Sequence, residues 1–558
     1  TEERGVFRTQ DGGKTWENVL YQNDLTGAID LVMSPGDPDV LFAALWTFER
    51  KAWGSFFGGP DGGIWRTRDG GDTWEEIAAM PGLPEGNTGR IGLTMSAADP
   101  NRVYALVDSA TQTGLYRSDD LGNTWKFVTA DANITARPFY FTHIYANPSN
   151  ADELWSPANK LWRSVDAGKT WILEPSAKDD FQDIWIDPED PDRMIATCDG
   201  GTAVTLTGGK SWSSFANQSG VQFYRVDTDD QFPYRVYGNS QDLLTYSVPS
   251  ASRWGGIPLH MTDFIGNGET GRAIPKPGDP NIVYGLSTGA TFGAATMFTV
   301  NNVQTGQTEP RPIWPEVLFG TPASEFKYRF NWQAPFLVSP HDPNTIYFAG
   351  NVVFRSRDEG MTWEKISDDL THNMTDKMKV AGSDWLPEYF GQETFSTIHR
   401  LAESPHEQGV LWAGTDDGRV WITRDGGGAW TEVTPPGLPE LSGIYEIEVS
   451  PHDKATTYLA TTRYRKADDY DPYLLKTSDY GQTWKRIDGS FPEGQTTKTI
   501  REDTVRQGLL FVGTETGVYA SIDDGETWRK LNLNMPPLPV FDIEIKNADV
   551  VIASHGMG

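Results

Sequence analysis

The feature that most constrains this chain is an eight-residue cassette, first met as Thr9-Gln10-Asp11-Gly12-Gly13-Lys14-Thr15-Trp16. It returns at Thr67–Trp74, Ser118–Trp125, Ser164–Trp171, Ser356–Trp363, Thr423–Trp430, Thr477–Trp484 and Ser521–Trp528. A worn copy runs from Thr205 to Trp212, with Thr207 in the place of Asp. The spacing is Ser/Thr-x-Asp-x-Gly-x-Thr-Trp. A hydroxyl and a carboxylate so placed accept hydrogen bonds from the N–H groups of a tight turn, and Gly takes a positive φ without steric penalty. Each cassette follows a short apolar run such as Gly63-Ile64-Trp65-Arg66 or Gly517-Val518-Tyr519-Ala520. β-branched and aromatic residues ending at Asp and Gly read as strand, turn, strand. The cassette is therefore expected to form a β-hairpin corner. Asp11, Asp69, Asp120, Asp166, Asp358, Asp425, Asp479 and Asp523 are its structural carboxylates, and its Trp residues are expected in the core.

A second phrase, an apolar strand, a Pro/Asp turn and another apolar strand, precedes most cassettes. Examples are Ser34-Pro35-Gly36-Asp37-Pro38, Ala98-Asp99-Pro100-Asn101, Ser339-Pro340-His341-Asp342-Pro343 and Ser450-Pro451-His452-Asp453. Phrase plus cassette gives four strands, and four-stranded antiparallel units repeated at this period are β-propeller blades; about ten complete ones are expected, with half-blades at 5–20 and 540–554. Two of the units lack the cassette and are placed at roughly 222–248 and 262–300. The expected fold is all-β, as tandem propellers. The first covers 1–220, with about four and a half blades and its N-terminal side incomplete; the second covers 221–558, with about six and a half to seven. A single ten-bladed ring is the alternative.

The composition suits many short strands joined by turns and argues against disorder: aromatics make up 12% of the chain, with 21 Trp and 57 Gly. Lys plus Arg number 47 against 77 Asp plus Glu, a formal net charge of -30. Such a surface repels phosphate backbones and anionic lipid, so neither nucleic acid nor a membrane surface is expected as the main partner. The single cysteine, Cys198, cannot make an intramolecular disulfide or a redox pair, and reads as a small buried residue. No apolar stretch is long enough to span a bilayer, and no secretion signal is present in these residues. Thr1-Glu2-Glu3-Arg4 runs straight into a strand, so the chain reads as a piece of something longer. No motif implies a cofactor or metal: Gly-x-Ser-x-Gly, His-Glu-x-x-His and phosphate-loop patterns are missing from the sequence.

The repeated cassette resembles the Asp-box, or BNR, repeat of bacterial sialidases, sortilin-type receptors and two-propeller xyloglucanases. Glu3-Arg4-Gly5-Val6-Phe7, Thr26-Gly27-Ala28-Ile29-Asp30, Lys327-Tyr328-Arg329-Phe330 and Gly513-Thr514-Glu515-Thr516-Gly517 are similar to phrases of large exported bacterial proteins described as sortilin-like or as glycosyl hydrolases. That resemblance implies two seven-bladed rings with further blades upstream, an exported or cell-surface location, and no established chemistry. The sialidase Arg-Ile-Pro signature is missing, and the Gly-rich motifs carrying the catalytic Asp residues of xyloglucanases find no match.

Stretches that break the repeat are where loops acquire function. The aromatic loop Trp46 to Phe57 supplies Trp46 and Trp53 as rings to stack on a sugar or anchor a partner, or else it seals the ring. Arg137, Tyr140 and His143 form a polar-aromatic cluster in the first ring. In the cassette-free region, Asp242 (after Tyr237-Gly238-Asn239-Ser240-Gln241) and Glu269 (in Gly266 to Arg272) each sit in a Gly/Asn-rich turn after an apolar strand. Facing one central depression they would make a paired-carboxylate site of glycosidase type, with Tyr328 and Arg329 lining it. Asp384-Trp385-Leu386-Pro387-Glu388-Tyr389-Phe390, within a loop from 368 to 393, offers Trp385 to a groove or forms a lid. Two functions follow. The first is an exported binding or scaffold module for a protein or glycan, possible in a larger extracytoplasmic assembly. The second is a glycoside hydrolase acting on a polysaccharide in the inter-propeller cleft or central depression through Asp242 and Glu269. Fold alone does not choose between them.

Overall fold

The structure, a computed structural model, describes the chain except residues 1–2, 78–79, 176–177, 216–217, 219, 267, 288–296, 317–320, 388–393, 532 and 557–558. It is all-β, built of antiparallel sheets in sequence order, most of them four-stranded. These are the blades of β-propellers.

The cassette makes the corner that its chemistry demands. At Asp358, the Ser356 hydroxyl donates to Oδ1 (2.8 Å) and accepts the Gly360 N–H (2.7 Å). Oδ1 also accepts the Thr362 N–H (2.9 Å), and Oδ2 the Thr362 hydroxyl (2.7 Å). Gly360 has φ 87°, which a side chain would resist. The same carboxylate bonds recur at Asp69, Asp120, Asp166, Asp479 and Asp523. At Asp425 the Thr423 hydroxyl and the Ala429 N–H still donate to Oδ1, but the bond to Oδ2 is lost because Ala429 replaces the Thr. In the worn copy the Thr207 hydroxyl accepts the Ser211 N–H (3.0 Å) in the carboxylate's place. Three cassette Trp residues donate to the preceding sheet, Trp430 to Ile366 O, Trp484 to Val433 O and Trp528 to Ile487 O, at 2.7–2.9 Å, while Trp125 and Trp171 donate to Gly122 O and Gly168 O of their own cassettes. Trp16 departs from the core expectation. It lies next to Glu17–Leu20 of the opening two-stranded sheet and is 60% exposed.

The chain divides into two compact units, not one ring. The first comprises Thr1–Arg50, Ser55–Gln218 and Ala381–Pro387. It holds the Val6–Arg8/Glu17–Leu20 hairpin and four larger sheets, whose first strands are Thr26–Ser34, Thr88–Ser96, Tyr145–Asn147 and Phe181–Ile186. The second comprises Lys51–Gly54, Ser219–Val380 and Glu388–Gly558. Its seven sheets begin with Phe223–Thr228, Ala273–Lys276, Phe336–Val338, Ile398–Glu403, Gly443–Val449, Thr497–Glu502 and Val540–Lys546, six of them four-stranded and the last a hairpin. Each of these first strands packs on the next, and Val540–Lys546 packs back on Phe223–Thr228, so the seven sheets close a ring. Asp263–Phe264, expected to open the second cassette-free unit, instead completes the sheet before it: Tyr246 pairs with Phe264 and Ser247 with Asp263.

The core lies between sheets. Phe298 meets Phe336 and Trp363 edge-on, each with centroids 5.6 Å away. The Ser-Pro-His turns add a polar tie between neighbours: His341 Nε2 donates to Ser404 O (2.8 Å), His406 to Ser450 O (3.1 Å) and His452 to Asp503 O (2.7 Å). Carbonyl acceptors fix the proton on Nε2 in all three.

Candidate active site

In an antiparallel sheet the turn after the second strand lies at the end where the first strand enters. In the second unit these turns are tied to those entries: Gln241 N donates to Gln222 O (3.0 Å) and Asp416 N to Thr397 O (2.9 Å). One end of the ring therefore gathers Gln241 and Asp242 from the first sheet, Asp416 and Asp417 from the fourth, Tyr464 to Lys466 from the fifth and Glu515 from the sixth. His555 follows the seventh. Contacts link them around the mouth. Lys466 Nζ donates to Asp416 O, and Lys498 pairs with Glu515 (2.7 Å) while lying 4.1 Å from the Phe541 ring centroid. His555 stacks on Phe541 at 3.7 Å and meets Tyr224 edge-on at 5.5 Å.

Asp242 and Glu269 are brought together here. Gln241 Nε2 donates to Asp242 Oδ1 (2.7 Å) and to Glu269 Oε2 (3.2 Å), and the Asp242 N–H donates to the same Glu269 oxygen (2.9 Å). Tyr224 OH donates to Gln241 Oε1. The two turns are clamped by Gly268 O, which accepts from Asn239 Nδ2 (3.2 Å) and Thr245 Oγ1 (2.8 Å). Asp242 is exposed and Glu269 half-buried. Burial, with Asp242 and Glu269 nearby, pushes the Tyr224 phenol up to about 12, so it stays a hydrogen-bond donor. Asn267 of the same turn lies outside the described residues. A second acid, Asp416, is buried and accepts from Thr397 N (2.8 Å) and Oγ1 (2.7 Å). Burial first, then Asp417, raises its pKa, and burial lowers that of Lys466.

Tyr328 and Arg329 are not brought to that pair. Arg329 is buried, donating to Ser396 O (3.1 Å), Asp369 Oδ2 (2.8 Å) and Thr371 Oγ1 (3.1 Å). Tyr328 meets Phe354 and Trp314 edge-on. Trp53 packs against Phe395 at 5.4 Å, with Lys377 Nζ 5.5 Å from its ring.

In the first unit, Trp46 is buried, stacked on Phe48 at 4.4 Å with the Arg90 guanidinium 5.7 Å from its ring. Arg90 joins the expected cluster: it donates to Phe139 O and Tyr140 O and faces His143 Nε2 at 3.1 Å. The guanidinium can only donate, so Nε2 is the acceptor of a neutral ring. Burial and Arg90 push the His143 pKa down to about 4. Arg137, at φ 46°, lies against the Phe139, Tyr140 and Phe141 rings, and Tyr140 OH reaches Asp199 Oδ2 (3.1 Å). Trp385 donates to Asp108 Oδ1 (3.0 Å), a fully buried acid whose pKa burial raises. The remainder of its loop, Glu388 to Glu393, lies outside the described residues.

Beneath the mouth of the second unit, the first strands carry a charged axis that the sequence reading missed. Glu446 pairs with Arg501 (3.0 Å), Arg225 (3.3 Å) and Arg400 (3.6 Å). Asp542 pairs with Arg501 (2.9 Å) and Arg225 (3.7 Å), and Arg272 grips Asp227. Burial pushes Glu448 up to about 8; burial and then Asp227 push Glu544 up to about 7. The alternating charges in Glu446-Ile447-Glu448 and Asp542-Ile543-Glu544 were the available signal.

No protein-family model matches the chain. Relatives do. It is 24% identical to a xyloglucanase of Paenibacillus sp over 63% of this chain and 32% of that protein. It is 21% identical to a xyloglucanase of Hypocrea jecorina over 84% of this chain and 67% of that one. An oligoxyloglucan-reducing end-specific xyloglucanase of Emericella nidulans is 23% identical over 97% of this chain and 63% of its own. The chain thus spans about a third of the first of these relatives and about two thirds of the other two. Among solved structures, the Niastella koreensis GH74 enzyme is 12% identical, covering 95% of this chain and 84% of its own, at a TM-score of 0.26. The GH74 xyloglucanase of Xanthomonas campestris is 14% identical over 90% and 79%, at 0.27. Structural likeness that slight has no bearing on the site. The relatives correct the order of the two functions: every one of them is an enzyme, which overturns the binding or scaffold module placed first and favours the hydrolase placed second. Among the described residues no helix is long and apolar enough to cross a membrane.

Proposed function

We propose that the protein is an exported glycoside hydrolase acting on a xyloglucan-type β-glucan, with Asp242 and Glu269 as its carboxylate pair. The observation that carries the reading is that relatives matched along most of this chain are named xyloglucanases. The geometry at the ring mouth supports the choice of residues. Two carboxylate oxygens sharing one amide NH2 at 2.7 and 3.2 Å lie within about 6 Å of each other, near the separation of about 5 to 5.5 Å used by retaining glycosidases. Glu269 Oε2 accepts two N–H bonds, which fix the carboxylate in place and suit a nucleophile. Asp242, exposed and holding one such bond, suits the acid and base roles.

The test is digestion of xyloglucan and of unsubstituted β-glucans by the wild-type chain, Asp242→Asn and Glu269→Gln, with the anomer of the first product read by NMR. Release of oligosaccharide with retained configuration by the wild type alone is expected. Full activity in both variants, or inversion at the anomeric carbon, would remove this pair from the reaction.

A further inference from the structure

We infer that Gln241 and Tyr224 are positioning residues for the carboxylate pair; the inference rests on that pair being catalytic. An amide presents one face that donates and one that accepts, and the two are nearly the same size. Between two carboxylates only the donating face is tolerable, since the C=O face would set a third oxygen against two others. Gln241 has its NH2 on both acids, and the Tyr224 hydroxyl donates to Oε1 from the opposite side. A flipped amide would lose both bonds to the acids and set its oxygen against theirs.

Tyr224 is well placed for this role. It stands on the first strand of its sheet, on the rigid part of the ring, with Phe541 and His555 edge-on to it at 6.5 and 5.5 Å. The turn bearing Gln241 is pinned to the entry of that strand by its own N–H on Gln222 O. Asp242 then adopts a left-handed backbone, φ 57°, and its N–H meets Glu269. The separation of the acids is thus set by a chain of contacts starting at a tyrosine on the strand and not by the loops alone.

The experiment compares wild type, Gln241→Leu, Tyr224→Phe and Glu269→Gln on xyloglucan, taking kcat and KM from pH 4 to 8 and a thermal midpoint for each. Gln241→Leu is expected to lower kcat by about tenfold or more with KM changed less than about twofold, because misplacement of reacting groups acts on the chemical step. Tyr224→Phe should lower kcat the same way by less, since the amide keeps both acids but loses the bond behind it. If Glu269→Gln is inactive while Gln241→Leu and Tyr224→Phe match the wild type in kcat, the positioning role is overturned and the catalytic pair stands. If Glu269→Gln is fully active, the catalytic reading fails and takes this inference with it. Tyr224→Phe removes one oxygen only and keeps the question decidable should Gln241→Leu fold poorly.

Discussion

Replacing Arg501 by Met should weaken the second unit more than any surface change. The guanidinium pairs with Glu446 at 3.0 Å and Asp542 at 2.9 Å and donates to Ile543 O at 2.8 Å, and the side chains of the two acids are 6% and 1% exposed. Without it, Asp542 keeps Arg225 at 3.7 Å as its ion pair, beside the Ile543 N–H at 3.0 Å, while Glu446 keeps Arg225 and Arg400 at 3.3 and 3.6 Å. Removing one partner of a buried ionic cluster costs about 3 to 5 kcal/mol, since the remaining charge is left uncompensated. A unit of about 340 residues unfolds with an entropy near 0.7 kcal/mol per kelvin, so the midpoint should fall by about 4 to 7 °C. Calorimetry would measure it, with Arg501→Met/Glu446→Gln as the companion. Neutralising Glu446 should recover part of the loss. A drop below about 1 °C, or a double variant no more stable than the single one, would refute the view that the axis is a compensated buried network.

Three further outcomes follow from the same geometry. Glu448 holds its proton up to about pH 8 when folded but loses it near 4.5 when unfolded, so its contribution is complete below about 4.5 and disappears as pH rises through 8. Glu448→Gln, which cannot ionise, should therefore gain on the wild type in thermal midpoint between pH 5 and 9; parallel profiles would contradict this. Thr207→Asp should restore the missing cassette carboxylate and add about 0.5 to 1 kcal/mol to the first unit in urea unfolding. Its gain should be present above the ordinary carboxylate range and vanish as pH falls toward 2, because cassette acids such as Asp120 and Asp523 are held down to about 2 by their turn hydrogen bonds. His406→Ala should cost about 1 kcal/mol by leaving Ser450 O without its imidazole donor, and an unchanged urea midpoint would show that water replaces it.

What could be read in advance was whatever depends on neighbours in sequence. Asp358, Thr362, Ser356 and Gly360 lie within seven positions and satisfy one another, so their spacing alone specifies the corner. The turns bearing Asp242 and Glu269 stood out for the same local reason, an acid among Gly and Asn. The axis did not, because an alternation such as Glu446-Ile447-Glu448 has the same period whether its polar side faces water or six other strands. Only ring closure, Val540–Lys546 against Phe223–Thr228, turns those polar sides inward and makes Arg225 a partner of Glu446. Trp16 shows the converse: its cassette is as complete as any other, yet the ring stays exposed, since the burial of a cassette Trp is decided by the sheet before it and not by its own eight residues. Gln241 and Tyr224 belong with the axis in this respect. Each is unremarkable in its own segment, and their bonds arise only when the turn folds back on the strand that precedes it, which is why two acids in Gly/Asn-rich turns can be picked out of the sequence while the groups bonded to them have to be found in the fold.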